Sequence, residues 1–264
     1  MTMLDFILII LFAVLVSTFA MMSGGEGAIL FIPFFLWLGV NPVSAVATAF
    51  VTQLVGKSSG TVRYALLARK QPTVQWGAAL RLVAYGAPFV IAGSVLAYYV
   101  NPVWLKALFG TVMMTIAALM AYSLFQRRVP QEIIDEKEIT RNWYYPAIAG
   151  LATGMTAIGS GTINMFLLEW KLKFNIYRSA ATVVAVLAFT ALIGAAFHIF
   201  EGGVRWDIAP FTMAGVLIGG QIGPCIACRL KERGLERNIK KVFIAITLLA
   251  GLTMLWGSGI LAAL

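Results

Sequence analysis

Charge is scarce in this sequence. Only 12% of its 264 residues are Asp, Glu, Lys or Arg, against roughly a quarter in a soluble domain. Histidine occurs once, at His198, and cysteine twice, at Cys225 and Cys228. Two cysteines cannot build a disulfide framework, and their CxxC spacing without a second ligand pair points to no metal or redox centre. No Walker-type phosphate loop is present, which excludes ATP as the driving force. The start, Met1-Thr2-Met3-Leu4-Asp5, lacks the basic region of a cleavable signal, so the first apolar run is expected to be retained. No cofactor or resident metal is expected.

What the chain has is apolar surface: 60% hydrophobic residues and a mean hydropathy of +0.88. Apolar segments fall at about 4–22, 26–38, 43–65, 76–99, 102–125, 144–158, 161–171, 177–200, 207–228 and 238–262. They are apolar on every side, which requires lipid or a bundle interior rather than water. An all-α integral membrane protein follows, with the bilayer as its partner. The net charge of +9 might suggest nucleic acid, but the basic residues lie in loops, where membrane topology accounts for them. Loops 63–75, 126–142, 171–178 and 229–241 hold 16 of the 20 lysines and arginines. The positive-inside rule makes that face cytoplasmic and both termini periplasmic.

The chain is expected to divide into a first membrane repeat at 1–125, a cytoplasmic linker at 126–142 and a second, inverted repeat at 143–264. A shift of 134 positions aligns Gly25 with Gly159, Gly27 with Gly161, Asn41 with Asn175, Thr48 with Thr182 and Gly60 with Gly194. Five segments per half, an odd number, make the second half upside down relative to the first. Segments 26–38 and 161–171 are too short to cross upright. Each follows a glycine-rich break, Ser23-Gly24-Gly25-Glu26-Gly27 and Gly159-Ser160-Gly161-Thr162. Such breaks free backbone groups that survive only in protein or in a polar cavity. The helix start after each break offers open N–H donors and partial positive charge to an anion.

The candidate substrate-binding residues are therefore Gly25, Glu26, Gly27, Gly159, Ser160, Gly161 and Thr162 at the breaks, with Thr48, Thr52, Gln53 and Lys57 on the third segment and Arg178 and Thr182 on its repeat mate. Thr48 and Thr182 are expected to flank one ligand. Glu26 reads as the only acid deep in an apolar region, a functional position by default. Downhill anion movement needs no proton, so Glu26→Gln is expected to retain it. Two other classes stand beside the carrier: a passive anion channel, and an intramembrane serine hydrolase with Ser160 as nucleophile and His198 as base.

The chain resembles the TauE/SafE family of sulfite exporters. The resemblance rests on Gly24-Gly25-Glu26-Gly27 followed by Pro33, on Asn41-Pro42-Val43-Ser44-Ala45-Val46-Ala47-Thr48, and on the counterparts Gly159-Ser160-Gly161, Asn175 and Ala181-Thr182. It covers nearly the whole chain. Glu26 interrupts the family's glycine run, and Leu167 stands where its second repeat often has proline. The resemblance implies a multi-pass protein of a bacterial inner membrane that exports sulfite, sulfoacetate or a related sulfur-containing anion, with a homo-oligomer left open.

Overall fold

The computed structural model describes residues 3–67, 73–125, 131, 134–233 and 235–257. The described chain is helical: α1 (Met3–Ser23), α2 (Ala28–Trp37), α3 (Pro42–Leu66), α4 (Trp76–Tyr99), α5 (Pro102–Phe125), α6 (Glu136–Arg141), α7 (Tyr144–Thr156), α8 (Ser160–Phe166), a π-helical turn (Leu167–Lys171), α9 (Ile176–Phe200), α10 (Ala209–Glu232) and α11 (Glu236–Gly257). Six of these helices are long and apolar enough to cross a membrane: α1, α4, α5, α9, α10 and α11. The expected segments are all present, with ends shifted by a few residues. Positions 258–262 of the last expected segment lie outside the described residues. The linker contains a short helix, α6, started by Asp135, whose side chain accepts from the Lys137 N–H at 2.9 Å.

Local chemistry sets the same boundaries in both halves. Asn41 caps α3 by accepting from Ser44 N–H at 2.9 Å, with Pro42 in the first turn. Asn175 caps α9 by accepting from Tyr177 N–H at 3.0 Å. Adding 134 to the limits of α3 gives those of α9, both of 25 residues.

Packing follows the same pairing. The tightest helix pairs are α1 with α10 and α7 with α4. The pair α3 and α9 occupies the centre, flanked by α10 and α4, and α5 packs on α11. Phe50 near the start of α3 stacks on His198 near the end of α9, while Tyr64 meets Tyr177 at the other end, so these two helices run antiparallel. The pairs with α1 and α7 run parallel through glycines that let backbones touch. A Cβ on Gly219 would stand 2.6 Å from Val14 O, and one on Gly154 2.2 Å from Val90 O. Small residues at such crossings permit the van der Waals contact that holds membrane helices together. Gly154→Val is expected to destabilise the protein by about 1–3 kcal/mol or more, read as a lower melting temperature in detergent. An unchanged melting temperature would show that α7 and α4 do not need this approach.

α3 is the least hydrophobic of the long helices and carries Thr48, Thr52, Gln53, Lys57 and Ser59 on buried positions. It can be polar because helices, not lipid, surround it. That central position brings its polar face to the two breaks.

Candidate functional site

The first break is the tip of a helical hairpin. α2 has 10 residues, about 15 Å of rise, too little to cross a bilayer. It returns beside α1, with Phe12 stacked on Phe34 at 4.3 Å and meeting Phe31 edge-on. At the tip Gly24 takes φ +67, and the N–H of Gly25 donates to Ser23 Oγ at 3.2 Å. The second break is built differently. Gly159 adopts φ +136, a conformation side chains resist. Ser160 N–H turns back to Thr153 Oγ1 at 2.5 Å.

The two breaks meet. Glu26, 1% exposed, reaches from the first into the second. Its carboxylate accepts the N–H of Gly159 at 2.6 Å on one oxygen and that of Gly161 at 2.8 Å on the other. The donors expected to face a substrate at the start of α8 are thus held by the protein's own anion. Charge-assisted bonds of this kind are short and strong, and they explain how an acid sits in a helix break without water.

Lys57, 2% exposed, completes the junction from α3. Its Nζ donates to Gly25 O at 2.5 Å, the carbonyl just before Glu26. Gln53, one turn earlier, donates Nε2 to Ala157 O at 3.1 Å and so ties α3 to the second break. Its Oε1 is buried without a hydrogen-bond partner among the described residues, as are Thr162 Oγ1 and Asn164 Oδ1. Beside Lys57 lies a cavity of about 10 Å³ lined by Ser17, Gly27, Thr52, Gln53 and Gly56. It has room for about one water.

Of the expected site residues, Gly25, Glu26, Gly27, Thr52, Gln53, Lys57, Gly159, Ser160 and Gly161 gather at this junction. Thr52 also bonds Thr212 Oγ1 of α10 at 2.8 Å. Thr48 and Thr182 do not come together. Thr48 accepts the Arg205 N–H at 3.1 Å near one end of the bundle, and Thr182 accepts the Gln75 N–H at 3.1 Å near the other. Because α3 and α9 run antiparallel, mates distant from their crossing fall on opposite faces. Arg178 sits in the first turn of α9, its guanidinium 5.3 Å from the centre of the Phe174 ring.

The serine–histidine dyad is not formed. Ser160 Oγ accepts from Asn164 Nδ2 at 3.3 Å, while His198 Nδ1 lies 3.1 Å from the Tyr98 hydroxyl at the far end of α9. A second acid escaped the sequence reading: Glu169, on the π-helical turn, pairs with Lys240 of α11, and both side chains are buried. Glu169 stands in an apolar segment, and the default applied to Glu26 applies to it equally.

A family model described as Sulfite exporter TauE/SafE matches residues 9–254. A "Probable membrane transporter protein" of Xylella fastidiosa is 24% identical over 89% of this chain and 89% of its own length. The "Probable membrane transporter protein YjnA" of Bacillus subtilis is 24% identical over 94% of this chain and 98% of its own. No solved structure matches the chain at a significant level.

Proposed function

The chain belongs to the sulfite exporter TauE/SafE family and is a multi-pass membrane transporter rather than an enzyme; from that premise we propose that it carries sulfite or a related small sulfur-containing anion, such as sulfoacetate, out across a bacterial inner membrane. One observation supports this most: a buried ammonium, Lys57, stands at an unwound helix tip beside a small cavity. A buried cation there binds an anion that has lost its water. Gly27 and the start of α2 add backbone donors, and the second N–H of Gln53 Nε2 adds a side-chain one. The cavity is small, about 10 Å³, and no wide pore adjoins Lys57 among the described residues, which favours a carrier that rearranges over a permanently open channel. With a negative interior, each negative charge leaving gains about 2.3 kcal/mol per 100 mV, so export needs no further energy source.

The inverted relation of 1–125 and 143–264, with 126–142 as linker, is part of the same proposal. Antiparallel α3 and α9, and the matched pairs α1–α10 and α7–α4, support it. The basic loops support a cytoplasmic 126–142 and periplasmic termini. A single cysteine replacing the exposed Asp135 is expected to react with impermeant reagents only from the cytoplasmic side. Labelling from outside intact cells would reverse the orientation.

The test of function is a proteoliposome uptake panel of sulfite, sulfate, thiosulfate, sulfoacetate and acetate. Saturable flux with counterflow is expected for sulfite or sulfoacetate and none for acetate. Equal flux of every anion, without saturation, would instead indicate a channel.

A further inference from the structure

We propose that Lys240 forms a second anion-binding position, a loading site at the basic face, and that Glu169 is its tethered occupant, exchanged for the transported anion. The inference rests on the anion-transport reading above. It starts from a local irregularity. After α8 the chain winds into a π-turn, Leu172 N–H bonding Leu167 O at 3.0 Å and Phe174 N–H bonding Leu168 O at 2.9 Å. π-Turns concentrate at functional positions, and this one carries Glu169 inward to Lys240.

The pair is only half satisfied. The side chains of Lys240 and Glu169 are 6% and 7% exposed. One carboxylate oxygen meets the ammonium, while Oε1 is buried with no hydrogen-bond partner among the described residues. That oxygen has lost water without gaining a donor, which lowers the cost of replacing the carboxylate by another anion. A cavity of about 20 Å³ adjoins the lysine and is lined by Ser23, Met165, Tyr177 and Ile239 as well as Lys240. Ser23 is the residue that accepts the Gly25 N–H. The cavity therefore joins Lys240 to the tip of the first break, on the side where Arg229, Lys231, Arg233, Arg237 and Lys241 cluster in sequence.

The other half does not repeat the arrangement. The position 134 before Lys240 is Lys106, but that before Glu169 is Phe35, fully buried in the core. The acid–base pair thus exists on one face only. An anion arriving there meets a lysine already adapted to a carboxylate, and Glu169 returns once the anion has moved to Lys57.

The experiment measures half-saturation for radiolabelled sulfite, or for sulfoacetate if the panel selects it, at each face of orientation-sorted proteoliposomes. Glu169→Gln removes the competitor and is expected to lower the basic-face value about fivefold, whereas Lys240→Gln raises it about fivefold. Both leave the opposite face within about twofold of wild type. Lys240→Arg, which retains the charge, is expected to restore the basic-face value and decides the matter should Glu169→Gln not purify folded. Changes of the same sign at both faces, or no rescue by arginine, would reduce the pair to a structural brace and overturn the loading site. Failure of wild type to move any panel anion would instead reject the transport reading itself.

Discussion

Replacing Glu26 by alanine is expected to destabilise the folded protein by about 3–5 kcal/mol, the cost of breaking a buried charged contact, and to abolish transport. The carboxylate accepts the Gly159 and Gly161 N–H groups at the second break, and Glu26 is 1% exposed. Without it those donors are left dry, at about 1–3 kcal/mol each, and Lys57 loses its neighbouring negative charge. Glutamine is no remedy. Its one oxygen accepts from one amide while its NH2 faces the other donor. The expectation that Glu26→Gln keeps downhill transport is therefore revised: the residue holds the two breaks together, whatever the driving force. The measurement is thermal unfolding in detergent beside sulfite uptake in proteoliposomes. A Glu26→Gln protein matching wild type in both would show that the junction does not depend on the carboxylate.

Lys57→Met is expected to lower anion flux at least about a hundredfold, equivalent to roughly 2.7 kcal/mol, while the protein stays folded. Methionine follows the course of the lysine stem and removes a charge that is costly to bury. It also removes the bond to Gly25 O, so a modest fall in melting temperature is expected alongside the loss of flux. A variant that transports at half the wild-type rate or better would place the anion elsewhere.

The sequence made the helices legible because their signals are local: apolar run length, the asparagine caps at 41 and 175, and the glycine breaks. α6 was hidden in a charged run, although Asp135 followed by Glu138 is a recognisable start signal. The residues of the junction were legible in part. Break residues and Lys57 were identified by polarity where lipid forbids it. The error about Thr48 and Thr182 was geometric: a sequence offset identifies equivalent positions, but in antiparallel helices equivalents meet only near the crossing. That Glu26 fills the donors at Gly159 and Gly161 was not readable, because a side chain's reach across 133 residues leaves no local pattern. The same holds for Lys240, which sequence alone cannot tell from the solvated basic residues beside it.

Gly161 is a poor position at which to test the site. A Cβ on Gly161 would stand 2.8 Å from Glu26 Cγ and 3.0 Å from Leu187 Cδ1, so a large residue there disrupts the junction before it blocks a ligand. Lys57 lines the cavity directly and is the cleaner position. The most direct measurement is sulfite-induced thermal stabilisation of purified wild type beside Lys57→Met, with acetate as control. A rise in melting temperature that saturates with sulfite in wild type and is much smaller in Lys57→Met, where only the Lys240 position remains, is expected. Equal stabilisation of both proteins by sulfite would contradict binding at the junction of the two breaks.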